Sequence, residues 1–396
     1  MESQTQTPKY NHFLSQVHQP FFLLTMINAL LVMLIFALNY KGILDLQIET
    51  LNFHIYTLIF MVFTNAFSGF LFTTLPKFCQ TPFIDQKFYS KLFYVSSIGS
   101  VIFLAGAFIN NFLMLAGMLI LFISQIYTVL KLKEIFDIGL NKDVDACWIL
   151  KAQYFGLFGH LLFLGVGLGL NVQNIAINIS FYMYLIFLTF SVIQRMVPMF
   201  SNSTASKNEK FVNIVFVFFI LKTVLSTFNN FTYIKIAEIF LDILLGIYLL
   251  GEFLRWKLPL FNSPAILWVL YLGLFWLPTA FFVNAFCLLL ELIFDINFYF
   301  LSIHFMAIGF LTTILIGFGT RVILGHSGQI PQADKILTAV FWFIQIIVIL
   351  RTLFSINVAL NFDLYFLFDL SFGAWLILFL IWTGRYAKAL VFERKY

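Results

Sequence analysis

Charged residues are scarce in this sequence. Asp, Glu, Lys and Arg make up only 10% of its 396 residues, whereas hydrophobic residues make up 61%. Average soluble domains contain about 25% charged residues, so this composition excludes a soluble enzyme and a water-soluble scaffold. The net charge of +5 is too small an excess for a nucleic-acid-binding surface. The composition therefore predicts a chain that is embedded in a lipid bilayer and has no nucleic-acid partner.

Cysteine is also rare. The chain has three cysteines, Cys79, Cys147 and Cys287, which are far apart and form no C-x-x-C motif. Disulfide-stabilised scaffolds and thiolate zinc sites need numerous or closely spaced cysteines. The sequence therefore predicts neither a disulfide framework nor a thiolate metal site.

Long hydrophobic runs are what the sequence has in abundance. The hydrocarbon core of a bilayer is about 30 Å thick and is crossed by about 20 helical residues. Twelve runs reach that length, which predicts an all-α, polytopic integral membrane protein with about 12 transmembrane helices. The runs lie near residues 20–40, 53–75, 92–110, 112–131, 152–170, 175–196, 211–229, 232–253, 264–291, 298–320, 335–356 and 364–386.

Lysine and arginine are unevenly distributed between the loops that join these runs. With the N-terminus in the cytoplasm, 19 of the 23 Lys and Arg residues fall in or beside cytoplasmic segments. Because basic loops are retained on the cytoplasmic side, both termini are expected there, as in a multi-pass protein of a bacterial cytoplasmic (inner) membrane. The expected domains are a cytoplasmic tail at 1–19, a single membrane domain at 20–388 and a second cytoplasmic tail at 389–396.

Charged residues well inside the runs are informative, because an unpaired charge there is costly. Lys222 in the seventh run lies at a depth similar to Glu238 and Asp242 in the eighth, so we expect an ion pair between Lys222 and one of them. Arg351 in the eleventh run matches the depth of Asp369 in the twelfth, and a second pair is expected there. Such pairs either fasten helices together or form a polar path for ions or protons.

Two of the six histidines lie at matching depths. His54 opens the second run, and His304 lies about six residues into the tenth run from the same membrane face. Imidazole is a common axial ligand of haem iron and also suits copper, so these two residues are candidates to bind a haem or a metal between helices. His160, near mid-membrane in the fifth run, is a reserve ligand. Taken alone, each histidine fits a hydrogen-bonded interior residue better than a metal ligand.

The segment HFMAIGFLTTILIGFGTRVILGHSGQ, residues 304–329, resembles the NnrS family. The family pattern has a His at the start of a span, a Gly five residues later and T-R-x-x-L-G-H-T-G-R at the end, and here Ser327 replaces Thr and Gln329 replaces the last Arg. The resemblance runs nearly end to end. It implies a membrane protein of about twelve spans that contains haem and copper and is associated with nitric oxide in bacteria. The matching residues are His304, Gly309, Thr320, Arg321, Leu324, Gly325, His326 and Gly328.

A second segment, residues 53–78, resembles a family segment that begins W-H-A-H-E and continues into G-F-L-L-T-A-x-P-N-W. The shared residues around Gly69 and Pro76 align His54 with the first His of that pattern. Tyr56 and Thr57 then replace its second His and its Glu. A metal site that needs all three side chains would lack two ligands in this chain, so the resemblance implies haem more strongly than copper.

A third segment, VIQRMVPMFSNS, resembles the family's G-G-R-x-I-P-x-F-T-x-N and contributes Arg195. Arg195, Arg321 and His326 are all expected at the cytoplasmic ends of their spans. An arginine there can bind a lipid headgroup or form paired hydrogen bonds to a haem propionate, and His326 can fold back toward the spans beside Gly325 and Gly328. This cytoplasmic cluster is a rival site, and the sequence leaves the choice between the two ends open.

The favoured hypothesis is a membrane haem protein, with copper as a further candidate cofactor, that acts in the response to nitric oxide or in defence against nitrosative stress. The alternative is a secondary transporter or channel that uses the intramembrane charged residues as its polar path. A complete haem-copper oxidase is excluded. Those enzymes use about six membrane histidines, including an adjacent pair, whereas this chain has no His-His dipeptide.

Overall fold

The computed structural model describes residues 12–392, in which twelve long helices follow one another with short connections. A 3₁₀ turn at His12–Leu14 precedes the first of them. Three predicted cytoplasmic basic residues, Lys9, Arg394 and Lys395, lie outside the described part, as do the outermost portions of both predicted tails. The helices are α1 (His18–Tyr40), α2 (Thr50–Cys79), α3 (Gln86–Ile109), α4 (Asn111–Ile138), α5 (Val144–Gly167), α6 (Gln173–Phe200), α7 (Phe211–Thr227), α8 (Thr232–Arg255), α9 (Ala265–Phe294), α10 (Phe300–His326), α11 (Lys335–Leu360) and α12 (Phe366–Val391).

Ten of these helices are long and apolar enough to cross a membrane, which makes the chain a polytopic, all-helical membrane protein. Residues 12–392 contain no β-strand. The other two helices occupy the seventh and eighth predicted runs. Of these, α7 is an apolar helix of only 17 residues, and α8 carries charged side chains along its length, including Glu238 and Asp242.

Consecutive helices run in opposite directions, so the loops fall at two ends of the bundle. At one end the loop after α1 meets α3 through a hydrogen bond from Gln47 N to Ala107 O of 2.8 Å. At the other end the start of the chain meets α10, where Gln16 Nε2 donates to His326 O at 3.2 Å. We call the first the His54 end, with the loops at 41–49, 228–231, 295–298 and 361–365, and the second the His326 end.

Two helices form the centre of the bundle. In the most apolar window of α2, 83% of the residues are buried, and in that of α6, 89% are buried, compared with 39% in α3 and α11. A bilayer does not drive apolar helices together, so lipid-facing helices keep apolar surfaces exposed while central ones are covered on all sides. Side chains that α2 and α6 place in the bundle are therefore shielded from lipid.

Three helices each contain a π-helical turn, at Thr57–Phe63 in α2, Ile179–Ile186 in α6 and Phe305–Thr312 in α10. Threonine hydroxyls help to form two of them, because Thr64 Oγ1 donates to Ile59 O and Thr312 Oγ1 donates to Ala307 O, both five residues back and at 2.8 Å. Inside the bundle, the turn in α6 contacts the turns in α2 and α10. Such turns are rare and frequently occur at functional sites.

Candidate functional site

A cavity of about 430 Å³ lies inside the bundle at the His54 end. All three π-helical turns contribute to its wall, and α1, α11 and α12 complete it. Most of the lining is aromatic or aliphatic. Three basic side chains, those of His54, His304 and Arg351, interrupt this apolar surface.

The His54 imidazole is half-buried and lies flat against the ring of Phe36, with the two ring centroids 4.0 Å apart. Within residues 12–392 neither ring nitrogen has a hydrogen-bond partner. A neutral imidazole always has one nitrogen with a free lone pair, so His54 presents a donor atom for a metal ion in a cavity that is otherwise apolar.

The His304 imidazole has a fixed tautomer. Its Nδ1 lies at hydrogen-bond distance from the carbonyl oxygen of Phe300. Because a carbonyl oxygen only accepts hydrogen bonds, Nδ1 carries the proton and Nε2 carries the lone pair. Metal-binding histidines usually donate their other N–H in this way, which orients the ring and makes it a stronger ligand.

The helix that carries His304 is held close to α9 by a glycine. A Cβ atom on Gly309 would lie 2.7 Å from Cγ of Trp276, so no larger residue fits there without a shift. The indole of Trp276 is itself anchored by a 2.7 Å hydrogen bond from Nε1 to Oε1 of Gln345 in α11. Gly309 therefore allows the π-helical turn after His304 to pack between α9 and α11.

The predicted ion pair between Arg351 and Asp369 is wrong. Asp369 is exposed and pairs with Lys41 at the end of α1. Arg351 instead lies over the ring of Phe354, with Cζ 4.7 Å from its centroid, and within the described part of the chain no carboxylate lies within 4.0 Å of it. The two residues match in depth but lie on faces of α11 and α12 that do not meet, and the guanidinium lines the cavity without a counter-charge.

The second predicted cluster forms a buried triad. Lys222 Nζ lies 2.7 Å from Glu238 Oε1 and 2.7 Å from Asp242 Oδ2, so it contacts both candidate partners and not only one. The three side chains are between 0% and 3% exposed. They lie in α7 and α8, outside the wall of the 430 Å³ cavity.

His160 is a hydrogen-bonded interior residue and does not reach the cavity. Its Nε2 lies 2.9 Å from the phenol oxygen of Tyr56, its Nδ1 lies 2.7 Å from Gln125 Oε1, and its ring stacks on Phe60. The Thr57 hydroxyl donates to the Phe53 carbonyl one turn back at 2.7 Å. Where the family pattern has a His and a Glu, this chain thus has two hydroxyl groups that are already hydrogen-bonded, and the reserve-ligand role of His160 is not supported.

The residues of the rival site are engaged separately. Arg195 pairs with Asp143, lies 3.5 Å from Asp145 and covers the ring of Phe78. Arg321 covers an aromatic ring of α6. Among the described residues, no hydrogen bond or ion pair joins Arg195 or Arg321 to His326.

The structure pairs His326 with a histidine that sequence reasoning left in the tail. The ring of His18, at the start of α1, lies 4.9 Å from that of His326, and its Nδ1 is buried without a hydrogen-bond partner. A turn with φ of +72° at Gly328 follows the helix end. Sequence reasoning missed this contact, because the two residues lie about 300 positions apart on separate helices.

One family model matches the chain. It is described as NnrS protein and matches residues 12–394, nearly the whole sequence, which confirms the resemblance based on the motifs. No curated protein matches the chain.

Proposed function

The chain belongs to the NnrS family, and from this membership and the cavity at the His54 end we propose that it is a membrane haem protein that binds nitric oxide. Its cellular role is then in the response to nitric oxide or in defence against nitrosative stress. The single observation that carries the proposal is that His54 and His304 line one mostly apolar cavity, each with a ring nitrogen that no group within residues 12–392 uses.

The residues of the cavity fit a haem. Its volume of about 430 Å³ is within the range of about 300–1,000 Å³ that small-molecule sites occupy. The porphyrin supplies four nitrogen ligands, so iron needs only one or two side chains. Two imidazoles are sufficient even though residues 12–392 contain no group of three His, Cys, Asp or Glu side chains that could hold a metal ion.

Arg351 fits the carboxylate groups of a haem. A half-buried guanidinium without a counter-ion is unfavourable, and Arg forms strong paired hydrogen bonds to carboxylates. Among the described residues that line the cavity, the charged side chains are those of Arg351 and of Glu49, which is exposed and directly precedes α2. A propionate would supply the charge that Asp369 does not.

Bound haem would supply an iron atom that binds nitric oxide. The chain's part is to hold and shield that site. His304, with its Nδ1 proton donated to Phe300 O, is suited to the permanent ligand. His54, whose ring is fixed only by stacking on Phe36, is suited to the exchangeable position. The aromatic walls exclude water and favour a small neutral ligand.

The residues present do not fit copper at the position that the family pattern suggests. Tyr56 and His160 satisfy each other at 2.9 Å, and Thr57 is hydrogen-bonded to its own helix. Three-coordinate or four-coordinate copper sites need histidine, cysteine or methionine ligands in a group. Copper is therefore left out of the proposed function.

We further propose twelve membrane crossings with both termini in the cytoplasm of a bacterial cell. Two of the crossings are α7 and α8, whose charged side chains are tolerated in lipid because the buried triad pairs them. The strong bias of Lys and Arg toward the His326 end supports this orientation.

The test is the absorption spectrum of the protein purified after expression with adequate haem. We expect a Soret band that is lost in His304→Gly and regained when imidazole is added, because the small base can replace a missing ligand but cannot repair a misfolded protein. His54→Gly should change the shape of the spectrum. His326→Ala is the matched control and should leave the band unchanged.

Two outcomes contradict the proposal. The folded, haem-supplied protein without a Soret band would show that no haem is bound. A band that survives both cavity substitutions but is lost in His326→Ala would place the haem at the other end of the bundle, beside His18.

A further inference from the structure

The triad of Lys222, Glu238 and Asp242 contains one cation and two carboxyl groups. All three side chains are buried, and the ammonium lies 2.7 Å from an oxygen of each carboxyl group. If all three groups were ionised, the cluster would carry a net charge of −1 inside the bundle. A carboxylate that shares a site with another carboxylate, with only one cation between them, strongly favours taking up a proton.

Within residues 12–392, no other positive group balances the extra carboxylate. On the elements packed against the triad, α6 contributes Tyr182 and α7 only Lys222 itself. The next charged groups along α8 and α9 are Lys235 and Glu291, which pair with each other at 2.9 Å and so add no net charge. The neighbours on α7, α9 and α10 are the neutral residues Ser226, Asn284 and Ser302.

The hydrogen bonds leave one oxygen of each carboxyl group unused. Glu238 Oε1 accepts from Lys222 at 2.7 Å and from Ser226 at 2.6 Å, and Asp242 Oδ2 accepts from Lys222 at 2.7 Å and from Asn284 at 2.6 Å. Glu238 Oε2 and Asp242 Oδ1 are buried and have no partner. A buried carboxylate oxygen without a donor is costly, and a proton bound to one of the two carboxyl groups removes the negative charge that makes its burial most unfavourable.

We propose that Glu238 and Asp242 together bind one exchangeable proton at neutral pH. A hard metal ion is a poorer occupant, because it requires about six oxygen ligands and the ammonium of Lys222 already lies between the two carboxyl groups. The proposal concerns a site outside the haem cavity and does not depend on whether haem binds.

A polar cavity connects this site with the His54 end. It has a volume of about 160 Å³, and its wall includes Glu238, the Lys235–Glu291 pair and asparagines of the 228–231 and 295–298 loops. A water molecule needs about 10–15 Å³ of such volume and several polar partners, so the cavity has room for a chain of waters. The proton is therefore exchanged with the membrane face at the His54 end.

The proton site also adjoins the larger cavity. Asn178 and Tyr182 line both the 160 Å³ cavity and the 430 Å³ cavity. The ring of Tyr182 lies 5.5 Å from Lys222 Nζ. A phenol both donates and accepts a proton, and Tyr182 borders both cavities, so we expect a proton to pass through it from the carboxyl pair toward a ligand in the larger cavity.

Infrared spectroscopy of the purified full-length protein tests the proposal directly. A protonated carboxyl group has a carbonyl band distinct from that of a carboxylate, and the band shifts in D₂O. We expect such a band at neutral pH. It should be absent in Asp242→Asn and in Glu238→Gln, because either change leaves one carboxylate that pairs with Lys222 as an ion.

Glu252→Gln is the matched control. Glu252 lies on the same helix and is largely buried, but its carboxylate is already balanced by Arg255, so its replacement should leave the band unchanged. The absence of the band from the wild-type protein between pH 6 and 8, a range chosen about one unit either side of neutrality, would overturn the proposal without any variant. So would a band that persists in both Asp242→Asn and Glu238→Gln.

Discussion

The phenol oxygen of Tyr56 lies 2.9 Å from Nε2 of His160, and together they occupy the interior position where the family pattern has a second histidine. An imidazole at residue 56 would lie beside that of His160. Very few side chains in α2 therefore separate a chain that would bind only haem from one that would also bind a second metal.

This relationship predicts a gain of metal binding. In Tyr56→His combined with Thr57→Glu, two imidazoles and a carboxylate would face one another, a donor set that suits copper or zinc. We expect the double variant to bind about one equivalent of copper and the wild-type protein to bind none. Metal analysis after dialysis against copper measures this.

The matched control is the double variant that also carries His160→Ala, which should lose the added copper. Stoichiometric copper in the wild-type protein would contradict the prediction, because it would mean that a donor set other than this one holds the metal.

Arg351 provides a prediction for haem affinity. A hydrogen bond to a charged group contributes about 1.5–3 kcal/mol, and about 1.4 kcal/mol corresponds to a tenfold change in affinity. If the guanidinium binds a propionate, Arg351→Gln should lower haem affinity roughly tenfold to one hundredfold. The measurement is the rate at which haem is lost to an excess of a high-affinity acceptor protein.

Haem dimethyl ester, which has no propionate charge, supplies the control ligand. The wild-type protein and Arg351→Gln should lose this ester at similar rates. Arg385→Gln, which removes an arginine paired with Asp334 at the other end of the bundle, should not change the loss of haem. A deficit of Arg351→Gln that is equal for haem and its ester would show that Arg351 acts only on the shape of the cavity.

Gly309 predicts a difference between two glycine substitutions in helices. In Gly309→Ala the new Cβ would lie 2.7 Å from the indole of Trp276, and overpacking of this kind costs about 1–3 kcal/mol. At Gly373 in α12 no atom lies within 4 Å of an added Cβ, and alanine there should stabilise the helix by roughly 0.5–1 kcal/mol.

Thermal unfolding in detergent measures both effects. Gly309→Ala should unfold at a lower temperature than the wild-type protein and should also lose haem, because His304 lies one turn away on the same helix. Gly373→Ala should unfold at the same temperature or a higher one. Equal unfolding temperatures for all three proteins would show that Trp276 moves aside without cost.

The sequence was sufficient for the features that depend on composition and depth. Apolar length located the helices, and the motifs identified the family. Depth in the membrane also predicted that Lys222 lies at the level of Glu238. The two side chains meet because adjacent helices of a hairpin must face each other. For Arg351 and Asp369 the same reasoning was wrong, since depth does not specify which face of a helix meets its neighbour.

Other features had no signal that one sequence provides. A π-helical turn such as Phe305–Thr312 differs from an α-helix by a single residue, and its apolar composition is that of any membrane helix. The contact between His18 and His326 joins residues about 300 positions apart. It depends on how the first helix packs against α10, which is decided by tertiary packing and not by local pattern.

The buried triad predicts that removing its cation lowers the stability strongly and that neutralising its carboxyl groups as well restores it. Lys222→Met leaves two carboxyl groups without their cation, and breaking a buried ion pair typically costs about 3–5 kcal/mol. Replacing the charged members together is often neutral, so adding Glu238→Gln and Asp242→Asn to Lys222→Met should restore most of the stability. Denaturant unfolding of the purified protein in detergent measures the free energy of each variant.

The exposed ion pair of Lys41 and Asp369 is the control that distinguishes the effect of burial from the effect of losing a lysine charge. Both side chains are more than one third exposed, and a surface ion pair contributes only about 0–1 kcal/mol. Lys41→Met should therefore cost far less than Lys222→Met. Removing a buried cation that neutralises carboxyl groups should cost more free energy of unfolding than removing a solvated one. Similar losses for the two lysines would therefore mean that the stability of the triad does not depend on charge balance. A triple variant no more stable than Lys222→Met alone would mean the same.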